Sequence, residues 1–182
     1  MKKLITNFLF LLTVMACQPI EKVNQIVFDN SQFAYFNILS SSIEIQEIFE
    51  KKITDPYIGH TLKINPSERI INWINDNFKP IGNENNFIVT ILDASITQTQ
   101  FENKEAKNFD EKSNYIYELF YLLEFSLFDD SGNLLASTLV ETSRSTTSGI
   151  YVSIQEKDNI IDDLIYNSLV DISNETKKLL TN

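Results

Sequence analysis

The sequence predicts an α+β fold: a two-layer sandwich with an antiparallel sheet of about four strands and two helices on one face, in the order β-α-β-β-β-α. Three observations carry this. Residues 115–128 hold apolar side chains at seven consecutive odd positions and run into a turn and a returning strand. Residues 66–79 and the stretch from Ile161 to Leu179 repeat apolar residues at spacings of three and four. The chain has 182 residues, 43% apolar and 22% charged, with four Gly and four Pro. That is the size of one domain and the balance of a globular one, with little material for flexible linkers.

Residues 33–49 read as the first strand. Phe33, Tyr35, Leu39, Ile43, Ile45 and Phe49 share odd positions, with a break near Ser40-Ser41-Ser42. Residues 50–64, with Pro56 and Gly59, read as irregular. The first helix, 66–79, has the clearest start: Asn65 as cap, Pro66 at the first helical position, Glu68 three residues after the cap. Ile70, Ile71, Ile74 and Phe78 form its stripe, and Pro80 and Gly82 end it. Residues 87–96 read as a central strand, with Phe87, Val89 and Ile91 on one face and Ile88, Leu92, Ala94 and Ile96 on the other. Residues 98–113 are polar and read as a loop.

In the strongest strand, 115–128, the odd face is Tyr115, Tyr117, Leu119, Tyr121, Leu123, Phe125 and Leu127. Asp129-Asp130-Ser131-Gly132-Asn133 then reads as a hairpin turn. Residues 134 to about 146 return as its partner. The last helix opens on a capping box of Ser153 and Glu156. It carries Ile161, Leu164, Ile165, Leu169, Ile172, Thr176 and Leu179 as a stripe, and Lys177 and Lys178 near its negative end.

Ahead of these elements lies an export signal. Lys2 and Lys3 give a basic start, residues 4–14 are mostly apolar, and Ala16 precedes Cys17. The apolar stretch is too short to span ~30 Å of hydrocarbon. Cys17 is the one cysteine. Val14-Met15-Ala16-Cys17 resembles the lipobox of bacterial lipoproteins, with Met15 in place of the usual small residue. The resemblance implies cleavage before Cys17 and attachment of fatty acyl chains, palmitate among them, to that residue. The division expected is 1–16 signal peptide, 17–30 lipidated tether and 31–182 a single periplasmic domain. Gln18, where enteric inner-membrane lipoproteins carry Asp, implies the outer membrane by the same resemblance.

Composition and motifs exclude several function classes. Loss of the leader, with Lys2 and Lys3, takes the formal charge from −10 to −12, which disfavours nucleic acid. The one histidine, His60, has no second His or Glu at helical spacing, so a loop histidine is favoured over a zinc ligand or a triad base. There is no nucleophile elbow, phosphate-binding glycine loop or cysteine pair spaced for metal. Asp129, Asp130 and Asn133 lack the ligand spacing of a calcium loop, and Asp162-Asp163 reads as a solvated helix face. No cofactor or metal is expected. The tyrosines of 115–125 read as core before cleft. On the opposite face, Phe120, Leu122 and Phe128 beside Glu118 and Glu124 leave apolar area on the open side of the sheet, a candidate interaction surface.

The layout resembles two groups of Gram-negative envelope lipoproteins: the lipopolysaccharide-assembly lipoprotein, and the auxiliary lipoprotein of ABC-type lipid transport systems. The likeness rests on the Cys17 lipobox, the helix from Pro66, the 115–128 strand with its turn, and the helix from Glu156. It is one of topology, and it transfers no binding residue beyond Cys17. The 55–60 segment fits neither group and suggests instead an uncharacterised alphaproteobacterial-type lipoprotein family. The function expected is therefore a non-enzymatic accessory lipoprotein that joins an envelope protein complex. A lipid- or amphiphile-binding module, requiring a cavity between sheet and helices, is the alternative. A hydrolase requiring two convergent carboxyl groups, one with a raised pKa, comes third.

Overall fold

A computed structural model of the chain describes residues 28–102, 104 and 113–180; the expected export signal, Cys17 and most of the expected tether lie outside them. Six strands and two helices form among the described residues. They are β1 (Phe36–Ile38), β2 (Ser42–Glu47), α1 (Pro66–Asn77), β3 (Phe78–Pro80), β4 (Asn86–Glu102), β5 (Ser113–Phe128), β6 (Leu134–Gly149) and α2 (Ile154–Leu180). The main sheet has the order β2-β4-β5-β6, and β1 and β3 form a separate two-stranded sheet. This is the expected α+β sandwich, with both helices packed on one side of four strands.

The sheet is mixed where a wholly antiparallel one was expected. β4, β5 and β6 form the antiparallel meander, but β2 runs parallel to β4. The reason is the connection: the chain leaves β2, crosses through α1 and re-enters the sheet beside it, and such a crossover returns a strand in the same direction. The first strand also divides at 39–41. β1 pairs with β3, so Phe36 lies opposite Phe78. Phe36 is buried while Tyr35 and Leu39 are each 72% exposed, against the odd-position pattern over that stretch. Ile43 and Ile45 keep it, packing on the core opposite Phe87 and Val89.

β5 organises the core. Tyr117, Leu119, Tyr121, Leu123 and Phe125 are fully or almost fully buried, and both helices cover them. Alternation along β5 delivers these side chains to one layer, and the α1 stripe (Ile70, Trp73, Ile74) and α2 stripe (Ile161, Leu164, Ile165, Leu169, Ile172) close over it. Phe78, Phe87 and Phe125 stack with centroids 5.8–6.4 Å apart. The Tyr121 hydroxyl donates to the carbonyl of Pro66 at 3.2 Å, tying the sheet to the first turn of α1. The layer between sheet and helices is therefore packed side chain.

β4 does not follow the expected alternation to its end. A bulge falls between Ile91 and Asp93, where Ile91 pairs with Leu123 and Asp93 with the next residue, Leu122. Leu92 is the extra residue, so the phase changes. Phe87, Val89 and Ile91 face the core, and beyond the bulge the even residues Ala94 and Ile96 do. Both hairpin strands also run further than 98–113 as a loop allowed. Gln98 pairs with Tyr117 and Glu102 with Ser113, because ladder bonds are made by backbone and tolerate polar side chains.

The element ends behave as their residues dictate. The Asn65 side chain accepts from the Glu68 amide at 2.9 Å and starts α1. Ser153 Oγ accepts from the Glu156 amide at 3.2 Å at the start of α2. Asp129 closes the β5–β6 turn, its Oδ1 accepting from the amides of Ser131 (2.9 Å) and Asn133 (2.7 Å). Gly132 there has φ +83°, open to glycine at no steric cost. Residues 28–30, expected in the tether, pack on the domain. Arg69 lies 3.8 Å over the Phe28 ring, Phe28 meets Tyr166 edge-on, and Asp29 caps a 3-10 turn.

Candidate functional site

Two surfaces could do chemistry or binding: the sheet face turned away from the helices, and a cleft at the β4 edge. The first follows from register. Side chains directly across the ladder share a face, so the open face carries the rungs Phe128–Leu134, Glu124–Leu139, Leu122–Glu141 and Phe120–Ser143. β4 adds Ile88 and Thr90, and β2 adds Glu44 beside Ile88. Phe120, Leu122 and Phe128, the candidates from sequence, are half-buried among these neighbours. Leu134 and Leu139 extend the patch and are 56% and 57% exposed. Both helices pack over the odd residues of β5, and only at the β6 edge does α2 come round to the open face, where Asp171, Asn174, Glu175 and Lys178 line a hollow with Phe120, Glu141 and Ser143.

The charge on this face has one sign. Glu44, Glu118, Glu124 and Glu141 occupy it, and no Lys or Arg stands at any open-face position of the four described strands. Glu124 is held by the Ser137 hydroxyl (2.8 Å) and Glu44 by the Gln46 amide (2.9 Å). Arg144, the basic residue of β6, points to the helix side and pairs with Asp171 of α2. That pairing raises its pKa, chiefly through the side-chain hydrogen bond.

The cleft arises where the sheet edge is interrupted. The last bond from the β2 side runs from the Ile48 amide to the Ile91 carbonyl (3.2 Å). The chain then arches away, passes the cis peptide Asp55–Pro56, and rejoins β4 at Tyr57, which bridges Thr97. Between these points a cleft of about 270 Å³ opens, walled by Phe49, Tyr57, Pro66, Leu92, Ala94 and Ile96. Its rim carries both charges: Lys51 and Lys52, Glu50 and Asp93, with His60 on the 3-10 turn Gly59–Thr61. Lys51 is paired with Glu47 at 2.9 Å. Lys52 Nζ donates to the Tyr57 hydroxyl at 2.9 Å and sits 4.5 Å from that ring's centre, and the hydrogen bond pushes its pKa up.

The other candidates from sequence fall as follows. Cys17 lies outside the described residues. The tyrosines of 115–125 are core: Tyr117 and Tyr121 are fully buried, and burial drives the Tyr121 phenol well above its ordinary pKa. Asp162 is paired with Arg69 at 2.9 Å rather than simply solvated, while Asp163 is exposed. Asp29 and Asp129 both titrate below the usual carboxylate value through hydrogen bonds from their own turns, the opposite of what a carboxylate acid catalyst needs. Among the described residues no group of three or more His, Cys, Asp or Glu is placed to hold a metal ion, and no helix is long and apolar enough to cross a membrane. Sequence reading missed the cleft. Its signal was the shift of apolar positions from odd (87, 89, 91) to even (94, 96), which marks the bulge.

The class of protein defined by this fold is a helix-covered α+β sandwich. No protein-family model matches the sequence, and no curated protein matches it. Similar solved structures are lipoproteins of Gram-negative bacteria. A minor lipoprotein from Acinetobacter baumannii aligns with TM-score 0.42 and 8% identity, over 79% of this chain and 92% of that one. A lipoprotein from Caulobacter crescentus aligns with TM-score 0.39 and 11% identity, over 77% and 88%. Rare lipoprotein B from Shewanella oneidensis aligns with TM-score 0.38 and 9% identity, over 77% and 93%.

Proposed function

We propose that the protein is a membrane-anchored accessory lipoprotein of the cell envelope, held by acyl chains on Cys17, that acts by docking a protein complex on the open face of its sheet. The observation that carries the docking is the composition of that face. Phe120, Leu122, Phe128, Leu134 and Leu139 lie among four glutamates, with no Lys or Arg on the strands of that face and one base, Lys178 of α2, at its rim beside Phe120 and Glu141. Apolar side chains without a helix over them favour a protein partner. Removing a half-exposed leucine from water contributes about 1 kcal/mol. The one-signed charge selects a partner whose contact surface is apolar with Lys or Arg around it, and it disfavours an anionic lipid surface. The export signal and lipobox support the anchor, and Gln18 favours the outer membrane, facing the periplasm. No catalytic step is assigned.

The test uses the full-length protein in its own membranes. A photo-crosslinking residue replaces Leu139 on the open face or Asp163 on the exposed side of α2. Leu139 yields one defined adduct with an envelope protein, and Asp163 yields none. The double reversal Glu124→Lys, Glu141→Lys weakens the Leu139 adduct at least about tenfold, the scale of one close like-charge contact. Equal adducts from both positions, or uncrosslinked monomer from both, contradict the docking face.

A further inference from the structure

We infer that the cleft at the β4 bulge is the anchoring pocket of the docking surface: it takes one bulky apolar side chain from an extended segment of the partner, whose main chain pairs with the open edge of β4 at Ala94. The inference rests on the docking function proposed above and adds to it the form of the segment recognised.

Backbone geometry carries it first. Beyond the bulge, Ile96 offers its carbonyl outward to the Ile58 amide (3.0 Å), and the Gln98 amide donates outward to the Pro56 carbonyl (2.8 Å). In an antiparallel strand both backbone groups of a residue point the same way, and alternate residues point to opposite sides. The even residues of this stretch therefore direct their amide and carbonyl away from β5, and Ala94, only 4% exposed, turns its pair toward the floor of the cleft it lines. Among the described residues no strand pairs with that edge between the Ile91 and Ile96 rungs. One rung of the β4 ladder is thus present on one side only, a site for strand addition.

The walls specify the side chain. Phe49, Leu92 and Ile96 with the rings of Tyr57 and Pro66 are apolar or aromatic. An apolar cavity of roughly 150 Å³ holds benzene, so 270 Å³ takes a ring or branched chain with its main-chain atoms. The rim has acids and bases together, Glu50 and Asp93 against Lys51 and Lys52, and Lys51 is already satisfied by Glu47. A charged head on the ligand gains nothing there, whereas a neutral peptide unit loses nothing.

Continuity ties the cleft to the docking face. Asp93 and Ser95 line the cleft and stand opposite Leu122 and Phe120 on the sheet. A partner lying on the open face reaches the pocket by passing round this edge of β4, because Ala94, Ile96 and Pro66 wall it on the helix side. Buried apolar anchors of this kind dominate the energetics of protein interfaces.

The probe is a set of end-blocked hexapeptides of alternating Thr and Val with Phe, Leu or Ser at one central position. They are titrated into the mature lipidated protein in phospholipid nanodiscs and followed by amide NMR shifts and calorimetry. The Phe and Leu peptides bind saturably, shifting the Asp93, Ala94, Ser95 and Gly59 amides. The Ser peptide binds at least tenfold more weakly, and so does the Phe peptide methylated at its central amide nitrogen. Gly59→Leu abolishes binding. A Cβ at Gly59 makes only ordinary contacts with Ile96 (3.7 Å) and Pro66 (3.8 Å), so the longer side chain enters the cleft and the fold is kept. Lys79→Met, an exposed residue of β3 outside the cleft, leaves binding within about twofold. No saturable binding by the Phe peptide overturns the inference, as do equal binding of decanol or indifference to amide methylation. If the peptides fail while Leu139 still crosslinks, the cleft assignment falls and the docking face stands. If the peptides bind and Leu139 does not crosslink, the reverse holds.

Discussion

Asp129 shows how one side chain sets a local structure and its response to pH. Its carboxyl receives the Asn133 side chain (2.8 Å) and the Asn133 and Ser131 amides. These bonds, Asn133 first, hold its pKa below the ordinary aspartate value. A depressed carboxyl stabilises the fold fully above its unfolded pKa and loses that contribution as pH falls through the folded value. Asp29, lowered by Ser31, adds in the same sense. Asp129→Asn keeps the acceptor but removes the charge. It therefore lowers Tm near neutral pH, and its Tm falls less than the native protein's between about pH 5 and about pH 2. Calorimetry across that range checks this; parallel curves refute it. This turn was legible in Asp129-Asp130-Ser131-Gly132-Asn133, because turn chemistry is local. The pairing of Asp162 with Arg69 was not legible, since it joins residues 93 apart in sequence.

Where elements meet, β4 is the instructive case. Its first half obeys period two, then one inserted residue moves Ala94 and Ile96 to the core side and opens the edge that forms the cleft. Deleting Leu92 restores unbroken alternation without moving any residue to the other face. The deletion variant therefore folds, with unchanged far-UV circular dichroism and a stability loss of under about 3 kcal/mol, within the ordinary range for a single change. It also loses binding of the Phe peptide. Urea denaturation and the same titration measure both; a variant that cannot fold shows instead that the bulge is required by the ladder. The helix starts, the turn and the β5 core face were readable because capping and periodicity are properties of short windows. The parallel placement of β2, the β1–β3 pair and the burial of Phe36 instead of Tyr35 depend on where the crossover lands. No window of sequence contains that.

Taken together, the protein has a packed interior and two unfinished surfaces. The helices complete one face of the sheet, so the space an interior amphiphile would need is filled by Tyr117, Tyr121, Phe125 and their helical partners. The open face was anticipated from Phe120, Leu122 and Phe128. Alternation along the hairpin partner sets Leu134, Ala136 and Val140 against Leu135 and Leu139; the register keeps Leu139 on the open face opposite Glu124, but the bulge near Leu127 and Phe128 brings Leu134 there too, opposite Phe128. The charge of −10 was plain from composition, but its concentration as four glutamates on one face needed the register. Docking through that face requires the domain to stay beside a membrane, and the proposed means is acylation of Cys17. Mass spectrometry of the mature amino terminus tests this most directly. The prediction is a chain beginning at Cys17, heavier by a diacylglyceryl group and an amide-linked acyl chain, and Cys17→Ala leaves the membrane fraction without them. A chain that keeps its first sixteen residues, or one that begins with an unmodified thiol, contradicts it.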